Sequence, residues 1–206
     1  MDFPGAARIA LPASARQSTP TLVRIVEWLS SIRRYFPEVQ VIHPLVQTQQ
    51  FARSEFERCL DGLIDEEARF RPTKADGSQM NCISWVICHM AHQEWLFFVR
   101  GPGGPENERL APFATGAPAC VPTLTDALDI WGEAKRAADN WLSQAGDAEF
   151  GRTTDAWFEN LGTCLMRNTY HYWFHAGEAT AIRQMLGHPE IILVGQMIGR
   201  LEYPLS

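Results

Sequence analysis

Four stretches of this chain carry apolar residues at helical spacing, and clusters of glycine and proline separate them. Leu45, Val46, Gln49, Phe56, Leu60, Leu63 and Ile64 mark one face of a segment over about 44–64, with Pro44 suited to its first turn. Ile83, Val86, Ile87, Met90, Leu96, Phe97 and Val99 mark a second over about 82–100, which Asn81 is placed to cap. Gly101-Pro-Gly-Gly-Pro105 must end it. Leu124, Ala127, Leu128, Trp131, Ala134, Ala138, Trp141 and Leu142 mark a third over about 124–145, with Thr123 or Thr125 as its cap. A fourth runs over about 160–186 and stops at Gly187, with Pro189 behind it. Each of these helices must bury its stripe against another, so the expected fold is all-α, a four-helix bundle. Residues 147–159 fit a loop or one short strand pair, and the Pro- and Ala-rich run to Pro122 is a long loop of the kind that serves a function or moves.

The expected organisation is an extension over 1–42 and a bundle over 43–206. Residues 1–20 read as a loose, disordered arm, and 21–35 as one helix with Thr21 as cap and Pro37 as stop. The tail over 190–206 is apolar enough to pack back on the bundle. Pro4 and Pro12 interrupt the apolar content of the first residues, so no secretory signal is expected. A net charge of −6 without any Lys/Arg cluster argues against a phosphate-backbone binder, and so against a nucleic-acid partner. No apolar run reaches the roughly 18 residues that span a bilayer. The five cysteines, Cys59, Cys82, Cys88, Cys120 and Cys164, form no Cys-x-x-Cys pair, which disfavours a disulfide framework and a zinc ribbon. A cytoplasmic location fits this usage.

Chemistry is concentrated in three histidines. His171 and His175 lie four apart on the fourth helix, one above the other, and His89 sits mid-stripe on the second. A lone histidine on an apolar stripe is most often a hydrogen-bonded core residue. Three of them on facing helices form a set of imidazole nitrogens that holds a divalent metal ion while leaving coordination positions open. Imidazole suits Zn, Ni and Fe alike. His92 is an alternative ligand or a supporting group, although it starts to turn off the stripe. Gln93 is placed to bond a metal-bound water. Glu178, seven after His171, orients a ligand imidazole or pairs with Arg183. Asn168 contacts substrate or another side chain, and Cys164 reads as an inert core thiol. The spacing names no general base; Glu178 and His92 are the lesser candidates for a catalytic role. His188 before Pro189 reads as a cation at a helix C-terminus. The remaining class is a non-catalytic bundle with core histidines that binds a partner or senses stress.

Several motifs together resemble the DinB/YfiT-like superfamily: Leu63-Ile-Asp-Glu-Glu-Ala-Arg-Phe-Arg-Pro72, Asn81-Cys-Ile-Ser-Trp-Val-Ile-Cys-His89, and His171-Tyr-Trp-Phe-His175-Ala-Gly-Glu178 with Ala181-Ile-Arg-Gln-Met-Leu-Gly-His-Pro189. The resemblance covers about 43–200. It implies up-down-down-up connectivity, a tendency to homodimers, and metal held by one His of the second helix and two of the fourth, here His89, His171 and His175. It also implies a transferase or isomerase that uses a low-molecular-weight thiol such as bacillithiol, mycothiol or glutathione, whereas the chemistry of a three-imidazole metal site by itself points equally to a hydrolase acting on a small molecule. The extension over 1–42 departs from the usual start of that family.

Overall fold

A computed structural model describes residues 42–191. The arm, the helix expected over 21–35 and the tail from residue 192 lie outside the described residues. Helix α1, Pro44–Arg58, starts where expected: His43 is the N-cap, and its Nδ1 accepts from the Leu45 amide at 3.2 Å. It ends six residues earlier than the apolar spacing suggests. The chain turns through Cys59–Asp61 to Gly62, whose φ of 70° suits glycine and not other residues. Leu63 still reaches the core from beyond that turn, which is why the stripe reads as unbroken. A single turn, α2 (Asp65–Ala68), follows. Its Asp65 carboxylate accepts from the Leu124 amide at 2.8 Å, placing negative charge at the start of a later helix.

Helix α3, Ile83–Trp95, is buried on every side from Ile83 to Ala91, as its apolar content requires. Cys82, not Asn81, takes the N-cap position, and no side chain caps the helix there. The expected last turn, Leu96–Arg100, widens into a π-helix. Gly101 closes it: its amide donates to the Leu96 carbonyl at 2.9 Å, and a Cβ at this position would lie 2.4 Å from the Phe97 carbonyl oxygen. The long loop beyond is anchored. It folds into a 3-10 helix, Glu108–Phe113, whose Leu110 and Phe113 are buried.

Helix α4, Leu124–Leu142, is capped by Thr123, whose Oγ accepts from the Asp126 amide at 3.1 Å. Ala127, Trp131, Ala134, Ala138 and Leu142 face inward, and the small residues let α3 pack closely. One turn, α5 (Asp147–Phe150), precedes an antiparallel strand pair, β1 (Thr153–Thr154) and β2 (Trp157–Asn160). Helix α6, Leu161–Met185, begins at Asn160, whose Oδ1 accepts from the Thr163 amide at 2.8 Å, and stops at Gly187, φ 88°.

Side-chain contacts give the helix directions. Phe51 meets Trp173 and Cys59 meets Thr180, so α1 and α6 run parallel. Arg53 pairs with Asp139 and Glu57 with Lys135, so α1 and α4 are antiparallel. His89 meets His175 while Gly101 abuts Leu161, so α3 and α6 are antiparallel. The connectivity is up-down-down-up, as the resemblance implied. Where the four helices meet, Glu94 of α3 is fully buried. Its carboxylate accepts from Arg53 Nε at 2.8 Å and Nη2 at 3.0 Å, from Gln49 at 3.2 Å and from the Tyr172 hydroxyl at 2.5 Å. Trp131 in turn donates to the Tyr172 oxygen at 2.9 Å. One carboxylate thereby ties α1, α3, α4 and α6 together through charge-assisted bonds. No helix among the described residues is long and apolar enough to cross a membrane.

Candidate metal centre

His89 is placed by three neighbours. It lies on the buried face of α3 and is 4 % exposed. The Trp85 indole stacks on its ring, 4.9 Å between centroids and 10° between planes. Its Nδ1–H donates to the Phe113 carbonyl at 2.7 Å, so the anchored loop chooses the tautomer and leaves Nε2 as the nitrogen with a free lone pair. His175 is 6 % exposed and is held in the same manner, since its Nδ1–H donates to Glu178 Oε2 at 2.7 Å. Its Nε2 lies 2.9 Å from Nε2 of His171, one turn below. The His89 ring meets those of His171 and His175 edge-on, at 5.0 and 5.4 Å. One ligand nitrogen from each of the three lies within 4.8 Å of the other two, so the three predicted residues come together at one point.

The environment favours the neutral ring at His89 and at His171. Burial pulls His89 down to about 4, and the cationic forms of His175 and His92 would push it further, against the pull of the Phe113 carbonyl. Burial pulls His171 down to about 3, followed by the same repulsion from His175 and His89. Neutral imidazole is the ligand form. The linkage has a definite sign. Between the ordinary value of 6.5 and these lowered values the unfolded chain takes up protons that the native state refuses. Stability of the metal-free protein is therefore complete above pH 6.5 and falls as the pH drops toward 4 and then 3. The expected slope is up to about 1.4 kcal/mol per pH unit for each of the two histidines. Urea midpoints measured from pH 7 to pH 4 check this, and a flat profile would contradict it.

The other expected residues fall into place around the trio. Glu178 bonds His175 and leaves Arg183 to the Cys59 carbonyl (2.7 Å) and His188 (3.0 Å). His188 is a relay more than a helix-end charge: its Nδ1 accepts from Arg183 and its Nε2–H donates to Glu67 at 2.9 Å. His92 stands outside the ligand set. Its ring lies parallel to that of His89 at 6.5 Å, and its buried Nδ1 has no partner among the described residues. Cys164 is buried, with its thiol pushed up to about 11 by burial, which agrees with an inert core role. Asn168 is fully buried, and among the described residues no group bonds either end of its amide; it is not part of the wall of the cleft beside the trio.

A cleft of about 720 Å³ opens directly beside the trio. Its walls include His92, Gln93 and Leu96 from α3 and Met166, Tyr170 and His171 from α6. His171 is thus the one member of the trio that belongs to both the ligand cluster and the cleft. Several residues here escape a reading of the sequence. The Phe113 contact is made by a backbone carbonyl, which has no signature. Met166 and Tyr170 are exposed positions on α6, away from the stripe that marks the core. Arg167, four before His171, carried a signal in its spacing, because that places it on the His171 face.

The description of the DinB superfamily matches residues 50–179, well over half of the chain, and the chain belongs to this superfamily. No curated protein matches it. The superfamily, the helical bundle and the grouped histidines together fit a metal-binding DinB-like protein.

Proposed function

We propose that the protein is a metal-dependent enzyme in which His89, His171 and His175 hold one divalent ion and the adjacent cleft receives a small-molecule substrate. The observation that carries this reading is the preparation of the nitrogens: two of the three rings have their Nδ1–H committed to Phe113 and Glu178, which aims the opposite nitrogen inward. Such outer acceptors are the usual support of metal-binding imidazoles. The donor set fits the ion, with three imidazole nitrogens and no acidic ligand among them. When bound, such an ion supplies Lewis acidity, polarising a substrate oxygen or acidifying water toward neutral pH.

The chain's own groups do the rest. Glu178 fixes the His175 ring by accepting its Nδ1–H. Trp85 and the Phe113 carbonyl fix that of His89. Gln93 lies in the cleft wall, where its amide is placed to orient a polar group of the substrate. His92 borders the same space and is the candidate to take or give a proton there. Hydrolysis of an ester or amide is the chemistry this arrangement supports best.

Metal analysis tests the reading. Purified protein equilibrated with Zn, Ni or Fe(II) and freed of excess ion is expected to retain about one equivalent. Uptake of none of the three overturns it and leaves a bundle with core histidines. Loaded protein is then assayed on uncharged aryl esters and amides. Turnover that appears only when a low-molecular-weight thiol is added replaces hydrolysis with thiol transfer at the same site.

A further inference from the structure

The cleft has a chemical character of its own, set by a residue outside its wall. Thr163, Met166, Arg167, Tyr170 and His171 line it from α6 at spacings of three and four, one continuous stripe. Eight residues of helix separate Thr163 from His171, so the cleft extends about 12 Å from the imidazole trio. Phe97 and Trp157 add an aromatic part to the wall, their rings edge to face at 5.6 Å. Among the described residues, Arg167 is the only Lys, Arg, Asp or Glu in the wall. It is not free to receive an anion. Glu159 accepts from its Nε at 2.7 Å and from Nη2 at 2.6 Å, a two-point pair that neutralises it. The same carboxylate accepts from the Trp157 indole N–H at 3.2 Å. Glu159 is absent from the cleft wall, yet it holds two of the groups that form it.

We propose that the cleft takes an uncharged, apolar substrate body of aromatic type, and that Glu159 is the positioning residue that sets this preference by neutralising Arg167 and fixing the Trp157 ring. The inference rests on the proposed metal centre only for which end of the substrate reacts. The physical reason is desolvation. A carboxylate entering this space gives up water and finds its one cationic partner already paired, whereas an amide or aryl group loses little. Aromatic walls reward a flat apolar body with contact area and ring geometry.

The test uses matched probes on full-length, chelator-treated protein: 4-phenylbutyramide and 4-phenylbutyrate, titrated by calorimetry. The amide is expected to bind the native protein about tenfold more tightly than the carboxylate, the size of one unmade charged hydrogen bond. Glu159→Gln releases Arg167, so carboxylate affinity is expected to rise about tenfold while amide affinity falls or holds. Adding Arg167→Leu to Glu159→Gln should abolish that gain, which a general loosening of the fold would not do. Carboxylate binding equal to or tighter than amide in the native protein overturns the inference, and so does binding of neither probe. An unchanged preference in Glu159→Gln overturns the role of Glu159. Metal uptake measured on separate portions of the same preparations, re-equilibrated with metal and freed of excess ion, separates the two proposals. Metal uptake with the wrong probe preference removes only this one, and the right preference without metal uptake removes only the other.

Discussion

Glu94→Ala is expected to destabilise the bundle by about 3–5 kcal/mol, the largest effect of any single substitution considered. The carboxylate is fully buried and accepts from three different side chains. Removing it leaves the Arg53 guanidinium, 7 % exposed, with Asp139 alone, and leaves the Tyr172 hydroxyl without an acceptor. Neither group regains water, so the cost is that of orphaned buried polar groups and not merely of a lost attraction. Urea unfolding at neutral pH measures it as a shift of midpoint at constant slope. A change under about 1 kcal/mol would mean that the four helices do not depend on this junction. Replacing the pair together, Glu94→Leu with Arg53→Met, is expected to recover much of the loss, since the ion pair gains little over a packed apolar core.

His171→Ala is expected to abolish metal retention, from about one equivalent to none, while leaving the chain folded. His171 is the best choice among the three because it is only partly buried and borders the cleft. Removing His89 would instead strand the Phe113 carbonyl, and removing His175 would strand Glu178. The consequence for stability follows by mass action. Zinc at about one hundred times its dissociation constant is expected to stabilise the native protein by about 2.7 kcal/mol, and the His171→Ala protein by nothing comparable. Elemental analysis after gel filtration, with thermal melts in the presence and absence of zinc, gives both readings. Full retention by the variant would mean that the ligand set is a different one.

Much of this architecture is legible in the chain because its signals are local. The stripe of α4, the cap at Thr123 and the stop at Gly187 follow from side-chain period and backbone preference, and they recur in the structure within a few residues. The early end of α1 was not legible, since Leu63 faces the core from a turn as well as it would from a helix. Nor was the wide last turn of α3, which is a tertiary compromise marked only by Gly101. At the centre, the pattern of His89, His171 and His175 is one of helical phase, and phase survives in sequence. The choice between the two roles for Glu178 is not, because His175 and Arg183 lie three and five residues from it, both near on the helix; only the placing of Arg183 against Cys59 decides. The buried role of Glu94 was equally hidden, being made by partners 41, 45 and 78 residues away.

Because α3 and α4 point the same way, the chain between them must travel back along the whole molecule. On that return it passes the centre and lends Phe113 to His89. A connection that merely had to span this distance is therefore also the one that tunes an imidazole. A single deletion between Leu110 and Phe113 would retract the carbonyl and detune the donor without touching any histidine.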